Sequence, residues 1–334
     1  MPKNSLDVLT IGNAITDILV RIDEAFLERE GLDKSIMHLI EGERADYLYA
    51  LMPDDKLQIS GGSAANTAVG ITSLGGTAAF VGKVANDDIG RFFARDLRQT
   101  NVEYKTSLLE HGAGSGRSMI LITPDGERTM NTYLGACHDL TEKDIIEEQV
   151  GGATITFMEG YLWDPPEAKR AFVKAAHFAH KHERAAAITL SDPFCVDRFR
   201  DEFIDLLRSK TCDYVFANVE ELKSLYQTDN LQQAVIEIAR DCEIAAITMG
   251  SEGAMAIKDG EVVSVPAYKI EHVADATGAG DLFASGFLLG IARGQDMEEA
   301  LKLGCLCASE VISHVGARPE KNLKQFAAEN GLKT

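Results

Sequence analysis

The sequence predicts an α/β fold, a doubly wound and mostly parallel central sheet with helices on both faces, carrying a small extra set of strands. Three observations lead there. Beyond residue 139, short and wholly apolar runs alternate with helical stretches, the pattern of parallel strands covered on both faces. Extended stretches at 17–22 and 118–133 break that alternation. Late in the chain, Asp275-Ala276-Thr277-Gly278-Ala279-Gly280-Asp281 runs into Leu282-Phe283-Ala284-Ser285-Gly286-Phe287, a glycine-rich turn opening a buried helix.

Taken in order, residues 7–11 form an apolar strand that stops at Gly12-Asn13-Ala14-Ile15-Thr16-Asp17, and extended character resumes at 18–22. Asn13 and Asp17 therefore stand at the end of a buried strand, where open α/β sheets bind ligands; an Asx turn at each is the plainer alternative. A helix over 43–52 leads into an extended 57–60 and then Gly61-Gly62-Ser63-Ala64-Ala65-Asn66-Thr67-Ala68. The two glycines let a substrate lie on bare backbone, and Asn66 faces the same cleft from the helix behind them. Residues 118–123 and 128–133 flank Pro124-Asp125-Gly126 as a hairpin. Strands follow at 153–158, 186–190, 214–217 and 244–249, with helices at 166–182 and 196–207 and beyond the later strands. Asn218-Val219-Glu220-Glu221 starts a helix with an N-cap and an acidic first turn. Thr248-Met249-Gly250-Ser251-Glu252-Gly253 ends the next strand in a turn.

Composition narrows the function classes. With 334 residues and 45% hydrophobic content the chain can bury a large core, and no repeat, low-complexity tract or linker divides it. It is expected to be one domain over 1–334. Its 33 Lys+Arg against 52 Asp+Glu leave a net charge of −19, which argues against nucleic-acid and anionic-membrane partners. No apolar run reaches membrane-span length and the first residues lack a secretory pattern, so the expected compartment is the cytoplasm. The six cysteines show neither zinc spacing nor a disulfide framework and are expected to be buried free thiols.

The chemistry gathers at the late glycine turn. Bare N–H groups of Gly278, Ala279 and Gly280 and the positive end of the helix dipole make an anion hole. Asp281 in the first turn would oppose a bound phosphate unless it had a task of its own, and taking a proton from an attacking hydroxyl is that task. Helix capping by Asp281 and a tight glycine turn form the bland alternative. A dinucleotide fingerprint would need its third glycine at Phe283, and no Gly-x4-Gly-Lys-Ser/Thr phosphate loop occurs.

The full Asp-x-Thr-Gly-Ala-Gly-Asp string resembles the second signature of the ribokinase-like (PfkB) family of carbohydrate and nucleoside kinases. Gly61-Gly62-x-x-x-Asn66-x-Ala68, with Leu74-Gly75-Gly76 and Phe80-Val81-Gly82-Lys83-Val84, resembles the first. The resemblance implies a ribokinase-like fold whose interrupting strands form a β lid, inserted from about 14–40 and 101–135. It implies ATP as cosubstrate with Mg²⁺, and leaves a K⁺ requirement open. Asp281 would be the general base, with Gly278, Ala279, Gly280 and the lid residue Arg128 on the transferring phosphate; a guanidinium matches phosphate oxygens. Asn218, Thr248, Gly250, Gly253 and Thr277 would meet ATP. Glu221 would organise magnesium through water, since that ion keeps much of its hydration shell. The helix over 304–313 with Val315-Gly316-Ala317 would wall the adenine pocket.

For the acceptor, Gly12-Asn13-x-x-x-Asp17 resembles the opening of the adenosine kinases of this family, whose aspartate accepts from two ribose hydroxyls. Thr189-Leu190-Ser191-Asp192-Pro193-Phe194 is similar to their stretch in which a phenylalanine stacks on the purine. Met37 and Met130 fall where they place apolar residues around the base. The expectation is phosphorylation of the adenosine 5′-hydroxyl, with Asn13, Asp17, Gly61, Gly62, Ser63 and Asn66 on the ribose and Met37, Met130 and Phe194 on the base. A sugar such as ribose or fructose, or another nucleoside, is the alternative. The expected partners are small molecules only, for a monomer or homodimer. A non-catalytic sensor of the same fold would lack Asp281 or the glycines, and both are present.

Overall fold

The computed structural model describes residues 6–334. In chain order the elements are β1 (Leu6–Ile11), β2 (Ile15–Arg21), α1 (Glu24–Glu30), β3 (Met37–Leu39), α2 (Gly42–Leu51), β4 (Leu57–Gly61), α3 (Ser63–Ser73), β5 (Ala78–Val81), α4 (Asp88–Gln99), β6 (Glu103–Tyr104), β7 (Arg117–Ile122) and β8 (Arg128–Tyr133). There follow α5 (Glu147–Gly151), β9 (Ala153–Glu159), α6 (Pro166–Lys181), β10 (Ala185–Thr189), α7 (Pro193–Arg208), β11 (Tyr214–Asn218), α8 (Val219–Tyr226), α9 (Leu231–Asp241) and β12 (Ile244–Thr248). The chain closes with β13 (Ala254–Lys258), β14 (Glu261–Val265), α10 (Ala279–Ala292), α11 (Met297–Val311) and α12 (Leu323–Glu329).

Nine strands make the central sheet in the order β14-β13-β12-β11-β10-β9-β1-β5-β6. It is parallel from β6 to β12, and β13 and β14 at the other end are joined by antiparallel pairings. Alternate residues serve opposite faces, as the pleat requires. Val8, Phe157 and Phe216 pack with α3, α10 and α11, while Leu9, Met158 and Val215 pack with α6 to α9. Helix α10 is buried from Leu282 to Gly290, which explains its all-round apolar sequence. Its approach to α3 is close because Gly70 faces Ser285 with no room for a Cβ.

A second sheet, ordered β3-β8-β7-β2-β4, forms the lid. One face is sealed by Ile18, Val20, Met119 and Leu121 against α1 and α2. The lid differs from its expected bounds in two ways. Residues 57–61 belong to it, because β4 supplies β2 with an antiparallel neighbour; the short β6 at 103–104 instead extends the central sheet beyond β5. Among the described residues no helix is long and apolar enough to cross a membrane.

Candidate active site

Two helix N-termini and two strand ends converge on one cleft. Gly278 caps α10 with φ 81°, a left-handed conformation that glycine adopts without penalty. A Cβ there would also lie 2.7 Å from the Ala317 Cα. Asp281, one turn inside α10, accepts a hydrogen bond from Ser63 Oγ at 2.6 Å and another from Asn66 Nδ2 at 3.0 Å. Burial pushes its carboxyl above the usual carboxylate range, and those two donors oppose the shift. The first signature thus serves the second: Ser63 and Asn66, expected on the substrate, hold the Asp281 carboxylate. Gly280 is exposed, with open space where its Cβ would be.

The residues expected at the acceptor gather where β1 and β4 end. Gly62 has φ 97°, and a Cβ on it would collide with the Asn13 carbonyl oxygen. At Gly61 a Cβ would meet the Asp17 carboxylate, so that group packs directly on the backbone before α3. Burial raises the Asp17 pKa to about 7, with Arg318 and Arg128 pulling it down and Asp281 pushing it up. Asn13 is buried and donates through Nδ2 to Glu159 Oε1 at 2.8 Å, leaving Oδ1 without a partner among the described residues. Glu159, the last residue of β9 and 1% exposed, also accepts from Ala64 N at 2.9 Å. Its pKa is raised to about 7 by the same burial.

Arg128 donates through Nη1 to Asp275 Oδ2 at 2.6 Å, which also accepts from Gly316 N at 2.9 Å. The guanidinium Nη2 is buried with no partner among the described residues. Thr277 gives both its N–H and its hydroxyl to Asp275 Oδ1. The lid arginine thus stands at the mouth of the glycine turn. Behind the turn opens a cleft of about 510 Å³, lined by Thr248, Gly250, Gly253, Ala276, Phe283, Cys305 and Ser309 among others. Three residues expected at ATP therefore share one cleft with the start of α10, and α11 supplies its far wall. Asn218 sits beside Thr248 in register. Asn218 and Glu221 are joined as a capping box, Glu221 being only 5% exposed with its pKa raised to about 7 by burial.

On the lid's second face, register places Leu19, Ile120, Met130 and Met37 in one row across β2, β7, β8 and β3, next to the row containing Asp17. Met37 is 49% exposed. Phe194 lies on α7, outside that sheet. Helix α7 starts at Pro193, earlier than expected, because Asp192 caps it by accepting from Cys195 N. That puts Phe194 in the first turn, 67% exposed, with the Arg198 guanidinium 5.6 Å from its ring centroid. A second exposed ring, Tyr161, follows Glu159 and donates its hydroxyl hydrogen bond to Ser191 O at 3.2 Å. Glu159, Tyr161 and Arg318 were missed by the sequence reading. Glu159 carried one usable signal, a carboxylate ending an otherwise apolar strand.

Held by Ser63 and Asn66 beside an open amide turn, Asp281 can accept a proton from a hydroxyl while the amides and Arg128 receive an anion. Known proteins agree with such chemistry. A probable sugar kinase from Rhizobium etli CFN 42 superimposes with TM-score 0.90 at 50% identity, covering 98% of this chain and 99% of that one. The adenosine kinase of Sinorhizobium meliloti gives TM-score 0.89 at 49% identity over 98% and 99%. A 5-dehydro-2-deoxygluconokinase of Bacillus subtilis is 29% identical over 263 residues, 76% of this chain and 80% of that protein. Residues 53–323 match the pfkB family carbohydrate kinase, so both signatures fall within the match and the chain belongs to that family of kinases, phosphotransferases with an alcohol acceptor.

Proposed function

We propose that the protein transfers the γ-phosphate of ATP to the 5′-hydroxyl of adenosine, yielding AMP and ADP, with Asp281 as general base. The observation that carries the acceptor is the apolar row Leu19, Ile120, Met130 and Met37 beside the Asp17 carboxylate. A carboxylate suits two adjacent ribose hydroxyls, and an apolar surface next to it suits a purine but gains nothing from a bare sugar. The near-full-length likeness to the Sinorhizobium meliloti adenosine kinase supports the same reading. The likeness to sugar kinases supports a second one, a sugar acceptor on the same machinery.

In this reading Asp17, Gly62 and Asn13 seat the ribose on the floor before α3. Asp281 takes the 5′-hydroxyl proton as the oxygen attacks in line. The amides of Gly278, Ala279 and Gly280, with Arg128, receive the charge that spreads over the moving phosphoryl. ATP lies in the cleft behind α10, its apolar walls suiting a base and Thr248, Gly250 and Gly253 its polar part. Asn218 and Glu221, beside Thr248, would hold magnesium through water, and the ion would supply positive charge to the ATP phosphates. Lid closure excludes water that would otherwise hydrolyse ATP.

An ATP-consumption panel of adenosine, inosine, guanosine, cytidine, ribose, fructose and fructose-6-phosphate tests the acceptor. Adenosine is expected to be turned over best; an inert adenosine with an active hexose overturns the acceptor and leaves the kinase intact. In the same assay Asp281→Asn is expected to lower kcat by about two orders of magnitude or more while ATP binding stays within about twofold. Near-normal turnover in that variant removes Asp281 from the base role.

A further inference from the structure

Arg318 lies in the segment after α11, outside both signatures, yet its guanidinium reaches the end of β4. Its side chain is only 15% exposed. Nη2 donates to Ser60 Oγ at 2.6 Å and Nη1 to Asp96 Oδ2 at 3.3 Å. Asp96 Oδ2 in turn accepts from the Ser60 N–H and hydroxyl at 2.8 and 2.7 Å. Ser60 immediately precedes Gly61, the backbone on which the Asp17 carboxylate rests, and it pairs with Thr16 across the β2–β4 ladder. The Nε of Arg318 is buried and has no partner among the described residues. Part of its charge is therefore uncommitted, and Asp17 is among the groups that feel it.

The same segment reaches the phosphate side. Gly316 N donates to Asp275, the residue that holds Arg128, and Ala317 packs against Gly278. One short stretch thus touches the amide turn at one end and the acceptor floor at the other.

We propose that Arg318 is a positioning residue for the acceptor, its guanidinium clamping Ser60 and Asp96 beneath Gly61, the backbone on which Asp17 packs, so that this side chain can meet the acceptor's hydroxyls as a carboxylate. The inference rests on the acceptor-side role proposed for Asp17. Burial outweighs the arginines and holds the Asp17 pKa at about 7 even with both in place, so losing one leaves a carboxylic acid at neutral pH, which offers fewer acceptor sites to a diol. The charged groups whose fields reach Asp17 are Arg318 and Arg128, which favour its ionised form, and Asp281, which opposes it. Removing Arg318 therefore moves the Asp17 pKa upward, and acceptor binding fails at a higher pH than in the wild type.

Steady-state kinetics of the full chain with adenosine, read from pH 5.5 to 9 in Arg318→Met and Arg318→Lys, tests this. Arg318→Met is expected to raise the acceptor KM by about tenfold or more, to leave the ATP KM within about twofold, and to shift the acid limb of kcat/KM for the acceptor to higher pH. Arg318→Lys, which keeps the charge but not the fork, is expected to hold that limb at its wild-type position with a smaller rise in KM. A wild-type acceptor KM and limb in Arg318→Met, or equal rises in both substrates' KM, overturns the proposal. Should Arg318→Met fail to fold, a shifted limb in Arg318→Lys overturns it and an unshifted one with raised acceptor KM supports it. If wild-type protein leaves adenosine untouched, the acceptor reading fails on its own, and the variants are compared on whichever panel compound is phosphorylated.

Discussion

Three carboxyl groups surround the cleft, and each is held in a different way. Asp281 has two side-chain donors, Asp17 packs on the Gly61 backbone within the fields of two arginines, and Glu159 is locked between Asn13 Nδ2 and the Ala64 amide. Glu159 makes the clearest case for pH. Its folded-state pKa of about 7 lies above the ordinary 4.5, so between those values the folded chain binds more protons than the unfolded one. Stability from this group is complete below the lower value and is lost as pH rises toward the upper. Glu159→Gln is therefore expected to stabilise the fold at pH 8 by about 1 kcal/mol or more relative to its effect at pH 5, at roughly 1.4 kcal/mol per pKa unit. The Asn13 amide can turn its unpartnered Oδ1 to the new NH₂. Denaturant unfolding at both pH values checks it, and an equal effect at the two would rule the ionisation account out. Little of this could be read from residue types. Asn13 and Asp17 were visible as polar groups at a strand end, but that Glu159 meets Asn13 follows from β1 lying beside β9, 146 residues apart at the Asn13–Glu159 bond.

At the scale of elements, α10 and α3 were the most legible, because small residues and glycines leave few other ways to pack. Gly70 against Ser285 and Gly286 against Leu303 and Gly304 show the reason: each contact has room for no larger side chain. The start of α10 is equally constrained. Gly278→Ala places a Cβ against Ala317 at a left-handed φ, and is expected to cost about 1–2 kcal/mol of stability and to lower kcat by about tenfold or more as the amide turn loses its aim. Turnover within a factor of two, measured beside thermal melting, would show that the turn does not position the phosphate. Helix α7 was less well read. Its Asp192-Pro193 start is a clear cap followed by a first-turn proline, and starting the helix at Val196 left Phe194 in a loop it does not occupy.

Across the whole molecule, lid and core meet through Arg128, which crosses from β8 to Asp275 ahead of α10. In a chain of net charge −19, an anionic cosubstrate depends on such local cations, and the free Nη2 of Arg128 is one. Arg128→Met is expected to reduce kcat by about tenfold to a hundredfold with a smaller change in acceptor KM, and Arg128→Lys to recover part of the loss. Stopped-time assays of product formation decide it: unaltered kcat in Arg128→Met would confine the residue to holding Asp275. By itself the sequence determined the sheet's parallel character, the amide turn with its acid, and the family, since apolar periodicity and glycine spacing are local properties of the chain. Only the tertiary structure decided that Ser63 and Asn66 serve Asp281, that β4 joins the lid, and that Glu159 and Arg318 brace the chain on either side of Gly61 and Gly62. Those relations arise from contacts between segments distant in sequence, and a buried charge shows its partner only once the chain has closed around it.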